Sequence, residues 1–166
     1  MEVWVSGSSE ITELAQPTAR HACEQLIHSF AWHLDQHSPP ERIADLFTID
    51  GIWELPSNEL RAEGRDELVR YFGAFSPAIV SRRLCTNVLF ELTATDTARA
   101  SSYFTTFRVD GASGNGPLPV PPVTQVGMYS DQFRCVDGTW LIARRTTSAT
   151  FVAPMPRVQA VDAVRS

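Results

Sequence analysis

The side chains that could do chemistry in this sequence are a cluster of histidines, a carboxylate near the end of the same segment, and aromatic and basic residues spread along strand-like runs. His21, His28, His33 and His37 lie within one stretch. On a helix, His33 and Asp35 point to different sides. His28 and Asp35 share a side but lie about 10 Å apart along the axis, too far for a direct hydrogen bond. His33 is the best placed of the four to reach a pocket, and the others read as surface groups. Asp35 falls about 110° from the centre of its helix's apolar stripe, at the boundary between a solvated carboxylate and a working one. No HxH, HExxH or CxxC spacing occurs, so no metal site is expected. Cys23, Cys85 and Cys135 are odd in number, far apart and set in apolar patterns, which reads as buried free thiols in a reducing cytoplasm.

Trp53, Tyr103, Tyr129 and Trp140 fall in strand-like runs, where alternation sends half of the side chains inward. They either pack the core or, for the tyrosines, donate to an oxygen of a bound molecule. Asn87 shares a strand face with Arg83, and Arg144 and Arg145 take opposite faces, so only one of those two can point inward. Arg83 cannot act as a base, because a guanidinium stays protonated at any relevant pH.

The elements that must position these groups follow from hydrophobic period. Residues 1–16 read as a loose arm. From Pro17, Cys23, Leu26, Ile27, Phe30, Ala31 and Leu34 mark one face of a helix that the HSPP run at 37–40 stops. Ser38 and Glu41 have capping-box spacing ahead of a short second helix. Ile52–Leu55 and Leu60–Glu63 read as strands, and Arg65–Phe75 as a third helix. Long strands follow at Arg82–Leu92, Ala98–Val109, Val123–Val136 and Thr139–Ser148, the last two joined by the tight-turn pair Asp137-Gly138. Residues 111–122, GASGNGPLPVPP, form an irregular connection, either a lid or an extended hairpin loop. Residues 151–166 form a tail. Helices followed by long antiparallel strands make an α+β domain, in which three helices cover a strongly curved sheet.

Composition narrows the partners. The chain has 166 residues, 43% of them hydrophobic, which fits one domain with a sizeable core. Its 14 basic residues, all arginine, face 19 acidic ones, for a net charge of −5. Without a basic cluster, nucleic acid is not expected as a partner. No apolar stretch approaches the roughly 20 residues that cross a bilayer, and the opening residues lack the pattern of a secretory leader.

Several strings, taken in order, resemble SnoaL-like proteins of the nuclear transport factor 2-like superfamily. They are Phe30-Ala31-Trp32-His33-Leu34-Asp35 with Ala44-Asp45-Leu46-Phe47, then Asp50-Gly51-Ile52-Trp53-Glu54 and Gly64-Arg65-Asp66-Glu67-Leu68. Next come Arg82-Arg83-Leu84-Cys85-Thr86-Asn87-Val88 and Gly127-Met128-Tyr129-Ser130-Asp131, and last the run from Gly138 to Arg145. The similarity spans about residues 17–150. It implies a cone-shaped α+β barrel around a cofactor-free pocket for a small hydrophobic molecule. Relatives include scytalone dehydratase, bile acid 7α-dehydratase, hexachlorocyclohexane dehydrochlorinase, polyketide cyclases and non-catalytic members. It also implies a homodimer, the outer face of the sheet covered by a second copy.

In the dehydratase-like relatives, an Asp at the position of Asp35 orients a His at the position of Arg83, and a helix-one Tyr of some members is Phe30 here. Three readings stay open for Asp35 and Arg83. They are a structural ion pair; an electrophilic clamp at Arg83 for a carboxylate, enolate or carbonyl oxygen; or Asp35 as base with Arg83 steadying the anion. The resemblance implies a catalytic set of Asp35, Arg83 and Tyr129. Substrate would contact Phe30, His33, Trp53, Asn87, Tyr103 and Arg145, the last favoured over Arg144. The activity so implied is a dehydratase, isomerase or cyclase; the competing class is a non-catalytic binding or assembly protein. Epoxide opening needs a carboxylate–Arg–carboxylate relay, and no Arg-x-Asp spacing falls within the long strands as bounded above.

Overall fold

The structure is a computed structural model that describes residues 7–111 and 117–154, with side chains from residue 16 onward. Its elements are α1 (Gly7–Asp35), α2 (Pro40–Ala44), β1 (Phe47–Leu55), β2 (Leu60–Glu63), α3 (Arg65–Gly73), β3 (Ile79–Leu92), β4 (Thr97–Asp110), β5 (Val123–Val136) and β6 (Thr139–Val152). One six-stranded sheet runs in the order β2-β1-β6-β5-β4-β3. Every neighbouring pair is antiparallel except β1 with β6. The expected α+β class holds, but the sheet does not close into a barrel. β2 and β3 remain as edges, and the helices cover one face.

That face is the core. The stripe expected on α1 buries Cys23, Ile27, Phe30 and Ala31. They meet Leu68, Tyr71 and Phe72 of α3, Trp53 of β1, and Phe104, Tyr129, Phe133 and Ile142 from the long strands. Asp137 and Gly138 take φ of 49° and 79°, the left-handed pair that a two-residue hairpin turn requires. No described helix is long and apolar enough to cross a membrane.

Several boundaries differ from the sequence reading: β1 begins at Phe47 and β3 at Ile79, before the expected Ile52 and Arg82, and α3 ends at Gly73, before the expected Phe75. α1 begins at Gly7 and carries Pro17 inside it, so residues 7–16 are helix and not a loose arm; the good helix formers Glu10, Glu13, Leu14 and Ala15 continue the turn N-terminal to the proline. Residues 1–6 lie outside the described residues. Ser38 does not cap α2: Pro39 holds the cap position without a side-chain bond, and the Ser38 hydroxyl pairs with His33 Nδ1 at 3.0 Å instead. β6 runs on to Val152, taking the first two residues of the expected tail, and residues 155–166 are outside the description. β4 extends to Asp110, one residue beyond the expected end. Of the 111–122 connection, residues 112–116 are not described.

At Gly127 the strand backbone meets the core with no room for a side chain. A Cβ there would lie 2.6 Å from Phe104 Cζ and collide with the Ser148 carbonyl. Gly127→Ala should therefore destabilise the protein by about 1–3 kcal/mol in chemical denaturation. An unchanged midpoint would mean that Phe104 does not pack over this backbone.

Candidate functional site

The inner face of the sheet is set by alternation, and register shifts in the ladders reset it, two of which decide where candidate residues point. On β3, Ser81, Arg83 and Cys85 point inward. The ladder then slips between Thr86 and Leu89, where Asn87 adopts φ 54°. Asn tolerates this left-handed conformation, and the extra residue reverses the parity so that Val88 and Phe90, not Asn87, face the core. Asn87 is exposed, which corrects its expected place beside Arg83. On β6 the ladder slips between Ile142 and Arg144. Ile142 and Arg145 both face inward, while Arg144 reaches Glu54 on the other face at 3.2 Å.

Asp35, at the last residue of α1, is only 8% exposed. Ser81 Oγ donates to its Oδ1 at 2.8 Å. The Arg83 backbone N–H donates to Oδ2 at 2.6 Å. Arg83 Nη1 also donates to Oδ1, and to Ser81 Oγ at 2.9 Å. The solvated reading of Asp35 therefore fails, and the expected ion pair with Arg83 forms. Arg83, by contrast, borders a cavity of about 170 Å³ that Asp35 does not line. Asp35 stands behind the arginine and fixes its direction.

The cavity walls are largely aromatic: Phe30, Trp53, Tyr71, Phe72, Phe75 and Phe104. These rings interlock, with Trp53 and Tyr71 centroids 4.5 Å apart and Phe30 and Phe72 at 5.6 Å. The polar lining includes Arg83, Arg108, Asp110, Gln125, Tyr129 and Thr147. Tyr129 is 3% exposed and stacks on Phe104 at 4.5 Å. Burial pushes its hydroxyl up to about 12, although the charges of Arg83 and Arg145 pull the other way. At neutral pH it is a hydrogen-bond donor and not a base. The Thr147 hydroxyl, on the same wall, has no hydrogen-bond partner among the described residues.

Arg145 does not line the cavity. It is fully buried, gives Nε and Nη2 to the two oxygens of Asp131 at 2.7 Å each, and lies between the rings of Phe30 (4.4 Å) and Tyr129 (4.3 Å). Burial opposes its charge, but Asp131 outweighs that cost and the guanidinium is held above its ordinary value. A buried pair of this kind costs about 3–5 kcal/mol when one partner is removed. It therefore stiffens the wall behind Phe30 and Tyr129.

The remaining expectations separate cleanly. Phe30 and Trp53 line the cavity as expected. Tyr103 is 55% exposed on the outer face, because its parity on β4 is opposite to that of Phe104. His33 is turned to Ser38 and does not reach the cavity.

Sequence reasoning missed Arg108 and Asp110. They form an ion pair, Nε to Oδ1 at 2.5 Å and Nη2 to Oδ2 at 3.0 Å. Asp110 is the cavity's single carboxylate among the described residues. Because β4 runs one residue further than expected, an Arg-x-Asp spacing does fall on a long strand. The inward parity of Phe104, Thr106 and Arg108 was the signal that could have found it.

A family comparison agrees with this architecture. The SnoaL-like domain family matches residues 15–146. The chain belongs to the SnoaL-like family. An NTF2-like protein with a cystatin-like fold from Novosphingobium aromaticivorans is similar, with TM-score 0.72 and 18% identity over 92% of this chain and 95% of that one. A scytalone dehydratase-like protein from the same organism has TM-score 0.69 and 22% identity over 92% and 97%. A hexachlorocyclohexane dehydrochlorinase from Novosphingobium barchaimii has TM-score 0.69 and 13% identity over 88% and 96%. At these identities the likeness is one of fold. No curated protein matches the sequence significantly.

The Tyr129 environment has a pH consequence. The folded chain holds this proton to about 12, against an ordinary value of 10. Its contribution to stability is complete below pH 10 and is lost as pH rises from 10 to about 12. Denaturation across that range should show Tyr129→Phe losing stability more gently than the natural chain. Equal slopes would mean that the hydroxyl is not buried.

Proposed function

We propose that this SnoaL-like chain is a cofactor-independent proton-transfer enzyme, a dehydratase, isomerase or cyclase, acting on a small hydrophobic molecule held in the aromatic cavity. The observation that carries the reading is the Arg83 guanidinium, aimed into that cavity by a buried carboxylate behind it. In this mechanism Arg83 holds the substrate oxygen that bears or gathers negative charge, where a fixed cation stabilises it most effectively. Tyr129, protonated at neutral pH, donates a hydrogen bond to a substrate oxygen or leaving group. Asp35 is a positioning residue: it holds Arg83 and does not line the cavity. Asp110 does line it, and although Arg108 takes one bond on each of its oxygens, each keeps a lone pair with which the carboxylate accepts the proton.

A non-catalytic binding protein is the second reading, favoured by the arginine at 83, which cannot take a proton. Arg108 and Asp110 supply part of a relay for epoxide opening, but no second carboxylate lines the cavity among the described residues. Leu84, Tyr103 and Phe151 stand exposed on the outward face of the sheet, and we assign that face to a second copy of the chain. The unpaired state of Cys23, Cys85 and Cys135 supports a reducing, cytoplasmic setting.

The test is incubation with β-hydroxy carbonyl and polyene compounds, with products followed by mass spectrometry. Turnover is expected, and Asp110→Asn should lower kcat by a factor of about a hundred or more while leaving binding in place. Thermal stabilisation by the same compounds without any product would favour the binding protein instead.

A further inference from the structure

The inner face of the sheet carries three arginines, and they use their guanidinium groups differently. Arg145 gives Nε and Nη2 to Asp131 at 2.7 Å each. Arg108 gives the same two nitrogens to Asp110, at 2.5 and 3.0 Å. In both, one carboxylate fills the side-on fork with two parallel bonds, the strongest geometry this pair of groups has.

Arg83 is held another way. Its Nη1 is committed to Asp35 Oδ1 and Ser81 Oγ, and its backbone N–H takes the second Asp35 oxygen. Its Nε and Nη2 make no hydrogen bond among the described residues. The side chain, 20% exposed, lines the cavity. The anchoring through Nη1 thus leaves open, on a side chain that borders the hollow, the same fork that Arg145 and Arg108 fill with aspartate.

A second observation lies on β6, separated from β3 by two strands of the sheet. Thr147 is 7% exposed and borders the cavity, and its hydroxyl has no partner among the described residues. A buried polar atom left unmet is costly, which marks this wall as one that a bound molecule can complete. The size of the hollow then limits what can bring it. About 170 Å³ is close to the roughly 150 Å³ of an apolar cavity that admits benzene.

We propose that the cavity takes a small aromatic or unsaturated monocarboxylate. Its carboxylate sits side-on against Nε and Nη2 of Arg83, and its ring lies among Phe30, Phe72 and Phe104. A phosphate would bring more oxygens than this single fork satisfies. The inference names the ligand class for the site proposed above and rests on that site, but it requires no turnover.

Isothermal titration tests it with benzoate and cinnamate against benzamide and cinnamamide, which keep the ring and lose the charge. The acids should bind more tightly than the amides by roughly tenfold or more. Arg83→Gln should bring the acids down to about the level of the amides and weaken the amides far less, with circular dichroism confirming the fold. Arg83→Lys, which keeps the charge without the fork, should recover only part of the preference. Equal binding of acid and amide to the natural chain overturns the inference, as does undiminished acid binding by Arg83→Gln or no acid binding at millimolar concentration. Should Arg83→Gln not fold, the acid–amide comparison on the natural chain decides alone. Acid binding without turnover of any compound leaves this inference standing and removes the enzyme; turnover of neutral substrates with no acid preference does the reverse.

Discussion

Asp35 ends the first helix with its carboxylate against the first long strand, and both oxygens are spent there: one on Ser81 and the Arg83 side chain, the other on the Arg83 backbone. This one cluster does two things. It ties α1 to β3, and it removes from Arg83 the freedom of a long side chain. A guanidinium left to rotamer entropy at the rim of a pocket would turn to water. Held through Nη1, it faces the cavity. The carboxylate, for its part, lies behind the arginine and does not line the cavity.

The wall opposite depends on a different pairing. Arg145 is buried with Asp131 and clasped between Phe30 and Tyr129. Those two rings belong to α1 and β5, so the cation and its counter-ion join the helix to the sheet from within. Together the two arginines place one charge at the surface of the hollow and one beneath it. Between them stands an aromatic lining in which edge-to-face pairs contribute about 0.5–1.5 kcal/mol each beyond their burial.

Much of this was legible in the sequence because period is a strong signal where a face is fully buried. The α1 stripe, the long strands and the Asp137-Gly138 turn were readable for that reason. Alternation left Arg144 and Arg145 open; the resemblance chose Arg145, which does face inward but is buried on Asp131 and does not reach the cavity as expected. The failures cluster where parity is broken or an element's end is uncertain. Asn87 was assigned inward by counting in twos from Arg83, and a bulge cannot be counted from alternation alone. Asp110 was missed because a single residue at the end of β4 decided whether Arg-x-Asp lay on a strand. His33 and Tyr103 were candidates by residue type, and only the packing shows that one turns to Ser38 and the other to the outer face.

The account stands on Arg83 being presented to the cavity from behind. A crystal structure of the protein with bound benzoate tests that most directly. The expected density has the carboxylate on Nε and Nη2 of Arg83, with Nη1 still on Asp35. An Arg83 swung into solvent, with Asp35 paired elsewhere or the benzoate seated away from it, would contradict the account.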